Sequence, residues 1–245
     1  LILQARRPLI MIGAAGNRPR LVEPLSDFVR RTRIPFFNTQ MGKGAVTGGS
    51  NLYVGTAALS ERDYVHEAID RADLIIAIGH DTIEKPPFFM GQADQKVVHI
   101  SYMPANVEQV YYPDAEVVGD LGPTLKLLAD KLDGKLPNAG ALLHLREHIL
   151  SHIGDRAGED RFPVTPQRLV RDVRRVIPED GIVCLDNGHY SASGMQPTAT
   201  KAGVDLAEAA RACKLRVEVA NDLSSAERLR EALHTGEGPL FIHAI

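Results

Sequence analysis

Short runs in which every residue is apolar, each followed by a stretch of helical periodicity, constrain this chain more than any other feature. Pro8 to Ile12 reads PLIMI and Leu74 to Ile78 reads LIIAI. A strand with one wet face alternates apolar and polar residues, so a strand apolar at every position must be covered on both sides. After the first run, Leu21, Val22, Leu25, Phe28 and Val29 return at the spacing of one helix face. Further strand-like runs fall at Ile34–Asn38, Lys96–Ile100 and Ala115–Val118. The pattern predicts strands near residues 9–12, 34–38, 74–78, 97–101 and 115–118. It predicts helices from Leu21, from Ser60 and Asp63 through Ala72 with Ser60 as N-cap, and over Leu121–Leu132. The stretch holding Gly42, Gly44, Gly48 and Gly49 reads as a loop. Strands and helices alternating in this way specify an α/β fold, a doubly wound parallel sheet.

The alternation organises residues 1–139 as one Rossmann-like domain. The segment Gly134-Lys135-Leu136-Pro137-Asn138 interrupts it, and residues 140–162 read as a linker helix and polar loop. Residues 163–245 read as a second, incomplete α/β domain. Its first helix opens at Thr165-Pro166, because proline suits the first helical position, and carries Leu169, Val170, Val173, Val176 and Ile177 on one face. A strand over Ile182–Leu185 should follow, then a helix over Val204–Cys213, a strand over Leu215–Val219, a helix over Ser224–His234 and a strand over Leu240–Ala244.

With 28 basic residues against 31 acidic ones, the formal net charge is −3. No basic excess is present to neutralise phosphates, so a nucleic-acid partner is not expected. No apolar run approaches the ~20 residues of a membrane span, and no charged-then-apolar leader is visible. Cys184 and Cys213 lie far apart and form no CxxC. A disulfide scaffold and a cysteine zinc site are therefore not expected, both residues read as packing groups, and a reducing cytoplasm fits. The chain opens on Leu1 rather than Met, which favours a segment of a longer protein.

Several clusters could carry chemistry. Gly13-Ala14-Ala15-Gly16-Asn17 lies between a strand and a helix, where backbone N–H groups can meet a phosphate, although a tight turn with these glycines needs no ligand. The end of the second strand holds Asn38, Thr39 and Gln40 instead of the acid that a dinucleotide ribose requires, which argues against a nicotinamide dehydrogenase. His144, His148 and His152 share a helix face and read either as a zinc-chelating pair or as a solvated stripe. His80 and Asp81 follow the Leu74–Ile78 strand at the edge where such sheets bind ligands, or they cap a polar loop. Pro86–Met90 reads as an apolar partner patch or a lid. Asp186-Asn187-Gly188-His189-Tyr190 is the densest polar cluster at a strand end. Its Asp186 and Asn187 oxygens suit Mg²⁺ and Gly188 admits a diphosphate, although an Asn-Gly turn has the same sequence.

Met41-Gly42-Lys43-Gly44, Tyr53-Val54-Gly55-Thr56, Ala72–Gly79, Val97–Ile100, Pro104–Val107, Tyr111-Tyr112-Pro113 and Glu116–Asp120 resemble, in order and spacing, the central domain of the acetolactate synthase family. Pro163–Gly188, Val204–Cys213 and Pro239–Ile242 resemble parts of that family's C-terminal domain. The resemblance implies a thiamine-diphosphate-dependent enzyme that decarboxylates a small 2-oxo acid, such as pyruvate, and joins the product to a second. It implies thiamine diphosphate and Mg²⁺ held by Asp186, Asn187, Gly188 and His189, at least a homodimer, and a regulatory subunit as a candidate partner. Gly194–Thr198 also resembles the phosphonopyruvate and sulfopyruvate decarboxylases. Flavin (FAD) is a further implied ligand, with Gly13, Ala14, Met41, Gly42, Gly55, Thr56, Gly79, His80, Gly119 and Asp120 at matching positions. Departures are visible too. Nothing corresponds to the pyrimidine-binding domain with its activating glutamate, so no catalytic residue is assigned, and the GDG motif of the C-terminal domain is missing. Thr56–Ser60 replaces the family's GMHG-like stretch, which weighs against flavin. These departures leave a non-catalytic nucleotide-binding module as the rival reading.

Overall fold

The computed structural model describes residues 1–46, 50–57, 63–81, 84, 90, 94–106, 110–176, 189–190, 196–220, 225, 228–229, 231–232 and 240–244. The chain divides into two compact units, Leu1–Val176 and Ile177–Ile245. In the first, β1 (Pro8–Ile12), β2 (Phe36–Thr39), β3 (Tyr53–Ala57), β4 (Leu74–Ile78), β5 (Lys96–Ser101) and β6 (Ala115–Val118) form one sheet in the order β3-β2-β1-β4-β5-β6. Every neighbouring pair is parallel. From β1 the chain steps one way to β2 and β3, then resumes at β4 on the other side of β1 and steps the opposite way. The loops leaving β1 and β4 therefore diverge, and such a switch point opens a crevice at the carboxyl edge of the sheet.

In the first unit the apolar runs form the strands expected of them, and β3, after the glycine-rich stretch, is an addition, whereas the strand expected over Ile182–Leu185 lies outside the described residues. The signal of β3 is weak because Gly55 interrupts it at φ 145° and its register with β2 shifts between Phe36 and Phe37.

Alternate residues of the central strands enter separate cores. Ile10 and Ile12 of β1 join Leu74, Ile76 and Ile78 of β4 on one face, while Leu9 and Met11 join Ile75 and Ala77 on the other. Burying each large side chain contributes about 1.5–3 kcal/mol. The first face is covered by α1 (Val22–Thr32) and α3 (Leu121–Leu132), through Leu25, Phe28 and Val29 and through Leu121, Leu125, Ala129 and Leu132. Arg31 ties these helices together, 2.6 Å from Asp130 and 2.9 Å from Asp133.

The second face is covered by α2 (Tyr64–Arg71) and α4 (His144–Ile153), through Val65, Ala68, Ile69, Leu145 and Ile149. The N-cap of α2 is Asp63 rather than Ser60, with its carboxylate accepting from the Val65 and His66 N–H groups at 3.0 and 3.2 Å. The helix read as a linker, α4, lies on this core, and Arg146 Nε donates to the Tyr53 carbonyl at 3.0 Å. The next helix, α5 (Pro166–Val176), buries none of its residues, and Leu169, Val170 and Val176 are exposed.

In the second unit, β7 (His189–Tyr190) pairs antiparallel with β8 (Gln196–Pro197), and β9 (Arg216–Ala220) pairs parallel with β10 (Leu240–Ala244). Between β8 and β9 lies α6 (Leu206–Ala212), capped by Asp205, which accepts from Ala207 and Glu208 N–H. Among the described residues of this unit the buried hydrophobics are Ala207, Ala210 and Ala232. Among all described residues, no helix is long and apolar enough to cross a membrane.

Candidate functional site

At the carboxyl edge of the first unit's sheet, the loops after β1, β2 and β4 meet. The chain after β1 turns back at once. Gly13 N–H donates to the Ile78 carbonyl at 2.9 Å and Ala15 N–H to the Gly79 carbonyl at 2.8 Å. Gly79 holds φ 66°, and a Cβ there would lie 2.4 Å from Gly16 N, so only glycine serves without strain. A Cβ on Gly42 would lie 2.1 Å from the Ile12 carbonyl oxygen. Asn17 Nδ2 adds hydrogen bonds to the carbonyls of Met41 at 3.3 Å and Lys43 at 3.0 Å.

Into this junction projects Glu84, only 6% exposed. Its Oε1 accepts from Ala14 N–H at 2.7 Å, and its Oε2 accepts from the Thr39 hydroxyl, which itself accepts from Gly42 N–H at 3.1 Å. One carboxylate thus joins all three loops. Burial pushes its pKa above the usual carboxylate range, against the pull of the Thr39 and Ala14 donors.

Beside it lies a buried chain of polar rings. His99 Nε2 is 3.0 Å from the Met103 carbonyl, which can only accept, so that nitrogen carries the proton. In the neutral ring His99 Nδ1 then accepts from the Tyr111 hydroxyl at 2.8 Å. The Tyr111 oxygen is left to accept from His80 Nδ1 at 3.3 Å. Burial lowers the His80 pKa to about 4, with Asp81 opposing and His99 adding to the shift, so His80 is neutral at physiological pH. Burial likewise raises Tyr111 above the normal phenol range.

Farther along the edge, Arg18 and Arg20 each place a guanidinium 5.3 Å from the ring centre of Tyr102, and Arg20 also donates to the Tyr102 hydroxyl at 2.9 Å. Asp120 caps α3 by accepting from Gly122 N–H at 3.2 Å.

Of the positions singled out in the sequence, Gly13, Gly42, Gly79 and His80 come together here, at the ends of β1, β2 and β4. Met41 is exposed nearby. Gly55 does not belong to the group, since a Cβ on it would meet Val65 of α2 at 2.6 Å. The Thr56 hydroxyl donates to Asn38 Oδ1 at 2.7 Å. Glu84, Thr39 and Tyr111 escaped the sequence reading as site residues. Only the Ile83-Glu84-Lys85 context shortly after His80 could have pointed to an acid there. Asp186, Asn187 and Gly188 lie outside the described residues, and of His189 only the backbone is described, in β7. Pro86–Phe89 also lie outside, whereas Met90 is fully buried and therefore does not belong to an exposed patch.

The histidine stripe on α4 faces solvent, with His144 and His148 exposed and His152 half-buried. Tyr64 stacks on His152 with ring centres 4.2 Å apart, His148 Nε2 sits 3.5 Å from Glu67, and His144 Nδ1 bonds to the Ala141 carbonyl. Among the described residues no group of three or more His, Cys, Asp or Glu side chains could hold a metal ion.

The profile of the thiamine pyrophosphate enzyme central domain matches residues 1–128. A catabolic acetolactate synthase from Raoultella terrigena is 27% identical over 194 residues, covering 77% of this chain and 35% of that protein. An acetolactate synthase from Bacillus subtilis is 23% identical, covering 78% and 34%. A glyoxylate carboligase from Escherichia coli O157:H7 is 24% identical, covering 74% and 32%. The chain thus spans about a third of the length of these relatives. An X-ray structure from Mycobacterium smegmatis, described as a thiamin diphosphate-dependent enzyme, superposes with a TM-score of 0.63 at 16% identity, covering 99% of this chain and 62% of that one.

Proposed function

Since this chain belongs to the thiamine pyrophosphate enzyme family through its central domain, we propose that the protein containing it decarboxylates a small 2-oxo acid and ligates the product to a second 2-oxo acid. Pyruvate is the first substrate to test. One observation carries the reading: the likeness to the catabolic acetolactate synthase runs for 194 residues, well past the 128 of the central-domain match, and so continues toward the diphosphate-binding part. Thiamine diphosphate, when bound, supplies the electron sink for decarboxylation. The chain's own task is to hold and orient. In this reading Asp186 and Asn187 offer oxygens to Mg²⁺, Gly188 leaves room for diphosphate oxygens and His189 donates a hydrogen bond to one of them. The central domain supplies a rigid sheet. A homodimer and a cytoplasmic setting belong to the same proposal.

The test is an assay of the full-length protein with pyruvate, thiamine diphosphate and Mg²⁺, following carbon dioxide release and acetolactate together. The proposal expects both, with loss on omission of the thiamine cofactor. Carbon dioxide without a ligated product would favour a simple decarboxylase. Neither product with any 2-oxo acid tried would favour a non-catalytic module.

A further inference from the structure

We propose that Glu84 is a built-in anion of the switch-point crevice, seated where a flavin diphosphate would have to lie, and that the protein works without flavin. At the ends of β1 and β2, the positions matched to flavin do not fit that group's diphosphate. The N–H at the head of the Ala14–Gly16 turn is the donor such a loop would offer to a phosphate. Here it is taken by Glu84 Oε1 at 2.7 Å. The second carboxylate oxygen takes the Thr39 hydroxyl at the end of β2. The group that spans the ends of β1 and β2 is therefore part of the chain, and it is anionic whenever it is ionised.

Gly13 and Gly42 tell the same story by distance. Glycines that cradle a ligand leave open space where a Cβ would stand. A Cβ on Gly13 would lie 2.6 Å from Glu84 Oε1 and 2.6 Å from His80 Cα, and one on Gly42 would lie 2.1 Å from the Ile12 carbonyl oxygen. These glycines let chain pack on chain. Admitting a diphosphate would require Glu84 to leave, uncovering the Ala14 and Thr39 donors and bringing two anions together. Nothing in the proposed chemistry calls for a redox group. Joining two 2-oxo acids with loss of carbon dioxide moves an electron pair from the breaking carbon–carbon bond into the new one, with no net oxidation. The Glu84 seat is argued from the first unit alone and does not depend on that reaction.

The test is a fluorescence titration of FAD into the full-length wild-type protein, with the visible absorbance of the purified protein recorded first. No co-purifying flavin and no saturable quenching up to about 100 µM FAD are expected. Stoichiometric flavin, or saturation within that range, would overturn the proposal. Glu84→Ala should lower the melting temperature by about 3–8 °C, because two buried donors lose their acceptor. Glu84→Gln should recover most of that loss through its amide oxygen. An unchanged melting temperature for Glu84→Ala would show that the carboxylate is not seated there and would equally overturn the proposal. Should Glu84→Ala fail to fold, the wild-type titration still decides. A protein that binds no flavin yet shows no turnover would sink the proposed reaction and leave the Glu84 seat standing.

Discussion

At the scale of residues, the Tyr111 hydroxyl joins the buried rings of His80 and His99 in one hydrogen-bonded chain. Tyr111→Phe removes the donor to His99 Nδ1 and the acceptor for His80 Nδ1 in one step. Two buried groups are then unsatisfied, and a loss of about 2 kcal/mol is expected in urea denaturation. The pH dependence follows from His80. Its pKa in the folded protein is lowered to about 4 from an ordinary 6.5, so folding favours the neutral ring. That contribution is fully present above pH 6.5 and is lost as pH falls toward 4, amounting to about 3 kcal/mol. Glu84 acts in the opposite direction. With its folded pKa raised, its contribution is greatest at low pH and declines as pH rises through the folded value. Urea midpoints of wild type and His80→Gln at about pH 7 and about pH 5 separate the two, because the variant keeps Glu84 and loses only the histidine term. A wild-type acid loss that persists undiminished in His80→Gln would contradict the assignment. Gly79→Ala forces a Cβ to within 2.4 Å of a backbone nitrogen at φ 66°. A cost of more than about 1 kcal/mol is expected from the same measurement.

At the scale of elements, the N-cap of α2 offers a clean case. Asp63→Ala leaves the Val65 and His66 N–H groups without their acceptor and should cost about 1 kcal/mol, read as a lower unfolding midpoint. The apolar pattern gives helix starts only to within a turn, so the sequence points to Ser60 as readily as to Asp63. The strands were legible wherever both faces are covered, since Leu9–Ile12 and Leu74–Ile78 leave no polar position to confuse the pattern. β3 was not, because glycine at its centre and a shifted register erase the period that defines a strand. The glycines of the carboxyl edge were legible as a site, but their purpose was not. Sequence shows that Gly13 and Gly42 lack side chains, and only the fold shows that Glu84 and the Ile12 carbonyl fill the space. The Tyr111 relay was hidden because His80, His99 and Tyr111 are far apart in the chain and meet only when β4 and β5 pair. Helix α5 shows the reverse situation. Its apolar stripe was plain in the sequence, yet Leu169, Val170 and Val176 are exposed.

At the scale of the whole molecule, the two units contribute unequally to the account. The first has a six-stranded sheet covered on both faces. In the second, the described buried hydrophobics are three alanines, and the cluster proposed to hold the cofactor lies outside the described residues. Whether the protein is a thiamine-diphosphate enzyme is therefore best read on the cofactor itself. The measurement is a calorimetric titration of thiamine diphosphate into the full-length protein at fixed Mg²⁺, for wild type and Asn187→Ala. Saturable, stoichiometric binding to wild type is expected, weakened about 10- to 150-fold by the loss of one charge-assisted contact in the variant. Equal affinities would remove Asn187 from the site, and a wild-type protein that takes up no thiamine diphosphate would contradict the account.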